Sequence, residues 1–386
     1  MGVHYLRRET FCDATAALRT DDSFRARRDP KHHNGESPLE SIGTGMVSQC
    51  RLDPFHLIYI GVFKRFVEFL LGKKKLPALL SVTEINELSS ILDRTAKYVP
   101  YDFNRRPKNF EYLEDYKGTE FRRLLICDGL VIFSKIKPRF RKCFLLLHAG
   151  IYILASPKLI KMYIDSADLF LRRFVKKAEK VFGKQFVVYC VHSAIHLADE
   201  CRDHGCLEDF SAFRYENHLG VIRKILRSTY KPIQQLANRD KERGGRWINP
   251  KDHLGEGEIK LTEFHRKDIE GEHFLSIKLG GKSGTQLRVT EADCGFKTKN
   301  GEVAILKDVV RSPEGNVILF GQKFLEMSGY YDFPCQSSLL GINKVSSLDP
   351  NETKWQLSDY EEKCAILPCP VEKNCCVSIP ILHCSC

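Results

Sequence analysis

Asp53-Pro54-Phe55-His56-Leu57-Ile58-Tyr59-Ile60-Gly61-Val62-Phe63-Lys64-Arg65 sets a carboxylate directly before an apolar-rich run. Leu57, Ile60, Phe63, Val67 and Leu71 recur at three- and four-residue steps, which predicts a helix over about 55–72. Asp before a helix is ordinarily an N-cap, because its side chain accepts from the unpaired N–H groups of the first turn. On spacing alone Asp53 has that role. A carboxylate in the same place can also ligate a hard cation such as Mg²⁺, which takes oxygen ligands and keeps several waters. His56, three residues on, is then a supporting group.

Outward from this segment the helical period continues. Thr83-Glu84-Ile85-Asn86-Glu87-Leu88 opens a second helix with Ser81 or Thr83 as its cap. Further helices are expected near 117–134, 139–155, 157–182, 185–203, 213–227 and 231–243, with Pro138 and Pro157 suited to helix starts. Residues 1–45, rich in Asp, Arg, His, Gly and Ser, read as mostly irregular. After Gly244-Gly245-Arg246 the character changes. Short alternating segments at 274–279, 286–290, 302–306, 316–320 and 376–381 are separated by turns such as Lys299-Asn300-Gly301 and Pro313-Glu314-Gly315-Asn316. They predict a small β-rich domain, a barrel or a sandwich, from about 255. Within it Gly321-Gln322-Lys323-Phe324 reads as a turn and 337–342 as a strand.

A length of 386 residues and 43% hydrophobic content suit a globular chain of two or three domains rather than a disordered one. The net charge of +11 favours a polyanionic partner, nucleic acid or an acidic membrane face. The surplus concentrates before residue 250, in runs such as Arg25-Ala26-Arg27-Arg28, Lys73-Lys74-Lys75, Arg105-Arg106 and Arg172-Arg173. The opening Met1-Gly2-Val3-His4-Tyr5-Leu6-Arg7-Arg8 has no apolar core of a secretory signal. The fifteen cysteines are therefore expected as free or metal-bound thiols in a reducing compartment. No apolar run reaches the ~18 residues of a membrane span, and Phe144 to Ala155 is interrupted by His148.

Two further clusters carry chemistry. Leu207-Glu208-Asp209-Phe210-Ser211-Ala212-Phe213-Arg214-Tyr215-Glu216-Asn217-His218-Leu219-Gly220 puts Glu216 one turn into a helix between aromatic anchors. Read plainly, it is an exposed helical Glu facing Arg223 or Lys224. Val191-His192-Ser193-Ala194-Ile195-His196 spaces two histidines four apart, on one helix face, the geometry of two of four zinc ligands. Cys201, His204 and Cys206 follow, but packing or DNA-contacting histidines suit the same pattern. The C-terminal Cys364, Cys369, Cys375, Cys376, His383, Cys384 and Cys386 match no two-pair zinc knuckle in spacing.

The segment 53–65 resembles the Asp-x-Met-His signature of CACTA (En/Spm-like) transposases, with Phe55 in place of the usual Met. Ser23-Phe24-Arg25-Ala26-Arg27, His32-His33, Ser37-Pro38-Leu39 and Met46-Val47 fall in the order seen before that Asp in animal members. Tyr116-Lys117-Gly118-Thr119-Glu120-Phe121-Arg122, Phe144–Ile151, Phe210-Ser211-Ala212-Phe213 with Glu216-Asn217, and Lys231-Pro232-Ile233-Gln234-Gln235-Leu236 continue the likeness. The resemblance implies an α+β fold. Residues 1–50 would be a remnant of the catalytic core, 51–245 a partial RNase H-like region with a helical insertion at about 80–185, and 255–386 the β-rich domain. It makes Asp53 and Glu216 the second and third catalytic carboxylates, ligands of Mg²⁺ (or Mn²⁺), and His192 and His196 candidate zinc ligands. The expected partner is DNA, the transposon ends, with a homo-oligomer as a candidate assembly, no membrane, and a nuclear location.

In that family two metal ions serve an in-line phosphoryl transfer. The first carboxylate lies on the opening strand of the sheet in an Asp-Gly-type motif. No such strand precedes Asp53 in the sequence, and Asp13, Asp21, Asp22 and Asp29 all sit in loop-like stretches. The chain is therefore expected to be N-terminally truncated and inactive by itself in strand cleavage. The other expectation is a domesticated nuclear DNA- or chromatin-binding protein without catalysis.

Overall fold

A computed structural model describes residues 3–5, 8–30, 33–73, 78–244, 254–255, 257–281 and 284–382. Met1, Gly2, Leu6, Arg7, His32, Lys74, Lys75, Gly245, Arg246, His383, Cys384 and Cys386, all singled out from the sequence, lie outside the described residues. The fold is α+β, a helical N-terminal region followed by an antiparallel sheet. In chain order the helices are α1 (Asp21–Arg25), α2 (Pro38–Ser41), α3 (Lys64–Leu71), α4 (Val82–Thr95), α5 (Gly118–Ile126), α6 (Gly129–Ile132), α7 (Pro138–Ala155), α8 (Ile160–Phe182), α9 (Tyr189–Ser193), α10 (Leu197–His204), α11 (Phe213–Ile225) and α12 (Pro232–Arg243). The strands are β1 (Val3–Tyr5), β2 (Arg8–Thr10), β3 (Ile259–Asp268), β4 (Gly271–Leu279), β5 (Thr285–Arg288), β6 (Gly295–Thr298), β7 (Val303–Arg311), β8 (Val317–Gly329), β9 (Asn343–Leu348), β10 (Thr353–Gln356), β11 (Tyr360–Pro368) and β12 (Cys375–Pro380). Two compact units result, residues 1–77 with 149–211, and residues 78–148 with 212–386.

In the first unit the expected helix over 55–72 has two parts. Phe55–Phe63 is a π-helix, and α3 follows it. Phe55, Leu57, Ile58, Tyr59, Val62 and Phe63 are all buried, so the segment is apolar nearly all round and its period carries little information about the turn type. Gly61 allows the wide turn to pack closely. A Cβ there would stand 2.8 Å from the His56 carbonyl oxygen and 3.1 Å from Cys190 Cβ. Phe69, Phe182 and Phe186 then pack edge-to-face or stacked, with centroids 4.6–5.9 Å apart. Arg65 lies over Phe69 and donates from Nε to the Phe186 carbonyl at 3.0 Å. The helix expected at 185–203 is interrupted. Lys184–Phe186 and Ala194–His196 are 3₁₀ turns on either side of α9, and α10 follows.

In the second unit α4 is capped by Ser81, whose hydroxyl accepts from Glu84 N–H while Glu84 accepts from Ser81 N–H. This reciprocal capping box settles the choice between Ser81 and Thr83. The run expected at 117–134 divides into α5, α6 and a 3₁₀ turn at Phe133–Lys135. The β-rich part consists of ten strands with every pairing antiparallel. The pairings β7–β8, β8–β9, β9–β12, β12–β11, β11–β6 and β6–β7 close a ring, so this is a barrel rather than a sandwich. Closure gives each of those six strands two partners, while β3, β5 and β10 pair on one side only among the described residues. Phe296, Leu306, Leu319 and Trp355 lie in one buried cluster, and Val345, Val303 and Cys364 in another.

Two local expectations are corrected here. Gly321–Phe324 is not a turn. It lies inside β8, the strand that pairs with β7 up to Lys323 and with β9 from Phe324. Gly321 lets the two backbones meet at a bulge, since a Cβ there would stand 2.1 Å from the Ile305 carbonyl oxygen. Residues 337–342 are not a strand. Ser337–Leu340 is a 3₁₀ turn, because the buried Ser337 hydroxyl accepts from Tyr330 N–H and donates to the Ile342 carbonyl at 2.8 Å. The thirteen described cysteines are all free thiols, so no disulfide among them staples either unit.

One buried cation ties the helical part of the second unit to its barrel. Lys363 on β11, 1% exposed, donates to Asp293 at 2.7 Å, to the Gln286 carbonyl at 2.7 Å and to Asp102. Asp293 also accepts from Tyr101 N–H at 3.1 Å. Removing one partner of a buried ion pair leaves uncompensated charge. Lys363→Met is therefore expected to lower unfolding free energy by about 3–5 kcal/mol, read as an earlier urea midpoint.

Candidate functional site

Asp53 stands at the mouth of the π-helix. Its Oδ1 accepts from Phe55 N–H at 3.2 Å, its Oδ2 from His56 N–H at 3.0 Å, and its carbonyl from Leu57 N–H at 3.0 Å. The carboxylate thus has the capping role its position predicts. It is also held beside an imidazole, with His56 Nδ1 2.5 Å from Asp53 Oδ2. The Asp53 side chain is 24% and that of His56 56% exposed, so both are reachable from solvent. A cap and a metal-binding carboxylate are compatible here, because the backbone bonds fix the orientation of a group that still faces water.

Glu216 lies in the second unit, in the first turn of α11, where the helix dipole favours a carboxylate. Its N–H donates to the Ala212 carbonyl at 3.1 Å and its side chain is exposed. No residue of α11 or α12 is buried, and Tyr215, Leu219, Tyr230 and Ile233 present large apolar surface. Asp53 belongs to the first unit, so each carboxylate is placed within its own unit.

The histidine pair keeps its proximity despite the broken helix. His192 lies in the last turn of α9 and His196 closes the 3₁₀ turn after it, with ring centroids 5.4 Å apart. His192 Nδ1 donates to the Phe11 carbonyl at 2.9 Å, which leaves Nε2 as the acceptor of the neutral ring. Burial lowers the proton affinity of both rings below the ordinary histidine value, most strongly opposed at His192 by the Phe11 carbonyl and reinforced at His196 by His192. Neutral imidazoles with one oriented nitrogen have the form of zinc ligands. Two do not make a site. Among the described residues no group of three or more His, Cys, Asp or Glu stands close enough to hold a metal ion. Cys201 and Cys206 are buried. Burial pushes the Cys201 thiol well up, and burial together with a bond to Asp209, 3.1 Å away, pushes that of Cys206 up to about 11.

The acidic residues that precede Asp53 have local duties. Asp21 accepts from Ser48 Oγ at 2.5 Å, Ser48 N–H at 3.0 Å and Val47 N–H at 2.7 Å, and these bonds hold its carboxyl down to about 2. Asp29 pairs with Arg19 at 3.0 Å, Asp13 binds Thr15, and Asp22 lies 3.5 Å from Arg25. The Asp21 clasp makes structural sense of Met46-Val47, a pair the sequence offers only as part of a motif series.

A second titratable cluster carries no motif in the sequence. His273 on β4 is 1% exposed and sits between two carboxylates, Asp308 on β7 at 2.6 Å and Asp268 on β3 at 2.9 Å. Arg266 lies 3.6 Å from Asp268 and 3.9 Å from Asp308. Burial alone would lower the proton affinity of the ring, but the hydrogen bonds to Asp308 and Asp268 outweigh it and raise the pKa above the ordinary value. Both ring nitrogens face carboxylate acceptors, an arrangement that favours the doubly protonated ring.

Residues 267–381 match a family model described as a domain of unknown function, DUF8592. The match falls on the barrel strands and covers less than half of the chain. No curated protein and no solved structure matches the chain. Among the described residues no helix is long and apolar enough to cross a membrane.

Two outcomes are expected. Because the folded pKa of His273 is raised, its contribution to stability is full below the ordinary histidine value of about 6.5 and is lost as pH rises through the folded value. Urea midpoints should fall across that window, and His273→Gln should flatten the fall. Asp53→Ala removes a cap, with a cost of about 1 kcal/mol, and should leave the far-UV circular dichroism spectrum unchanged.

Proposed function

We propose that the chain derives from a CACTA-type transposase, a metal-dependent DNA strand-cleavage and strand-transfer enzyme, with Asp53 and Glu216 as two of the three catalytic carboxylates of that family. In this reading residues 51–245 derive from a partial RNase H-like region interrupted by a helical insertion, and the protein acts on DNA in the nucleus. The observation that carries the proposal is the Asp53–His56 arrangement. It joins the Asp-x-x-His motif of the ordered series from Ser23 to Leu236 to an oriented, solvent-reachable carboxylate.

The donor chemistry fits Mg²⁺ or Mn²⁺. Asp53 and Glu216 offer hard oxygen atoms, and Mg²⁺ needs only one or two protein carboxylates because it retains waters. When bound, the divalent ion supplies charge stabilisation to phosphoryl transfer. The chain's own contribution is orientation. Phe55 and His56 N–H groups fix the Asp53 carboxylate, and the first turn of α11 presents Glu216 to solvent. Zinc at His192 and His196 belongs to the same proposal, as a structural ion completed by ligands from elsewhere.

Asp13, Asp21, Asp22 and Asp29 are engaged by Thr15, Ser48 with Val47, Arg25 and Arg19 respectively, and none lies on a strand. That favours a second reading in which the 386-residue chain binds DNA without cutting it, as a domesticated DNA- or chromatin-binding protein would. The purified chain is expected to bind Mn²⁺ by titration calorimetry, weakly, and to lose that binding in Asp53→Asn. It is expected to leave terminal-repeat DNA intact. Mg²⁺-dependent nicking that disappears in Asp53→Ala would establish the enzymatic reading for this chain. Mn²⁺ binding identical in Asp53→Asn would remove the assignment of Asp53.

A further inference from the structure

The C-terminal half of α8 presents a row of cations with a single carboxylate, Glu179, among them. One face of this helix is anchored in the first unit by Phe170, Leu171, Phe174, Val175, Ala178 and Phe182, all buried. The outward side carries Arg173, Lys176, Lys177 and Lys180, and Lys184 follows just after the helix. Lys176 and Lys180 are one turn apart, about 6 Å along the axis, as are Arg173 and Lys177. Lys176, Glu179, Lys180, Gly183 and Lys184 line an open cleft.

The charge balance is what sets this face apart. Two neighbouring cations are paired, Arg172 with Asp168 at 2.9 Å and Arg202 with Asp165 at 2.5 Å. These pairs also occupy the two carboxylates nearer the start of α8. Glu179 takes a hydrogen bond from the Cys12 thiol. Among the described residues Arg173, Lys176, Lys177, Lys180 and Lys184 form no ion pair. A lysine or two at a helix C-terminus is accounted for by the dipole. Five like charges on a rigid face repel one another, and a polyanion laid across them relieves that repulsion.

We infer that this face of α8, from Arg173 to Lys184, is a docking surface for the phosphate backbone of duplex DNA. The inference rests on the DNA-binding part of the function proposed above and gives that binding a location. A duplex is favoured over a single strand by the aromatics. Phe170, Phe174 and Phe182 are buried and 173–184 exposes no aromatic ring, whereas single-stranded nucleic acid is gripped by stacking on exposed rings. Lysines that meet phosphates position a duplex without reading its sequence.

The test is fluorescence anisotropy of a labelled duplex of about 25 bp with the full 386-residue chain, over a salt series. Wild-type affinity should fall steeply with salt. In the Lys176→Gln, Lys180→Gln, Lys184→Gln triple variant the slope of log K against log salt should shrink by up to about 2.7, near 0.9 for each phosphate no longer neutralised. Lys→Arg at the same three positions should keep the wild-type slope, which separates charge loss from misfolding. Lys260→Gln with Lys307→Gln, two exposed lysines of the β-rich part, should leave it unchanged. A triple variant with wild-type slope and affinity would overturn the α8 surface while leaving DNA binding by the chain intact. Absence of salt-dependent binding by the wild type would overturn both. Tighter binding of a single strand or of an RNA duplex would overturn the assignment to duplex DNA.

Discussion

The second unit depends on a buried ammonium. Lys363 projects from β11 into a place where water does not reach, and a charge there is tolerable only if it is paired and hydrogen-bonded. Its partners come from three stretches far apart in sequence: Asp102 after α4, the Gln286 carbonyl on β5, and Asp293 before β6. Asp293 in turn holds Tyr101 N–H, and Lys97 reaches Glu291 at 2.7 Å. Segment 97–102 is therefore fixed against the barrel by directional bonds as well as by apolar contact. Displacing any one partner strands the others. This explains why residues 78–148, helical in themselves, belong to the same compact unit as the sheet.

The first unit is organised differently, by a helix whose turn is too wide. The π-helical start at Phe55 carries an extra residue per turn, and Gly61 supplies the room that this geometry needs beside Cys190. Asp53 closes the open end of that helix with two backbone bonds. The same bonds leave the carboxylate oriented and partly exposed, with His56 against it. Under the proposed function, a structural duty and a chemical one coincide in this single side chain. Spacing arguments that set the two as rivals cannot separate them.

The barrel shows where sequence pattern succeeds and where it stops. Apolar runs bounded by turns mark β4, β7 and β12, each of which is largely buried. Such a run is absent from β3, whose residues are nearly all exposed, and obscured in β11 by Glu361-Glu362-Lys363. β8 misleads because Gly321 is as common in turns as in bends within a strand, and only the approach of Ile305 reveals which it is. The carboxylates at Asp53 and Glu216 are visible as motif positions. The His273 cluster is not, since Asp268, His273 and Asp308 are brought together by pairing of β3, β4 and β7 and share no local spacing.

By itself, the sequence determined the helical and β-rich parts, the cap at Asp53, the basic surplus and the ordered motifs on which the proposed function rests. These follow from local periodicity, from side chains that bond to their own backbone, and from charge, all of which act over a few residues or none. Tertiary structure alone decided the closed ring of strands, the π-turn at Phe55–Phe63, the two carboxylates that flank His273 and the partners of Lys363. It also decided which basic residues are neutralised: Arg172 finds Asp168 and Arg202 finds Asp165, while Arg173 through Lys184 keep their charge. Each of these depends on what stands opposite a side chain in space, and that is fixed by long-range packing rather than by neighbours in the chain.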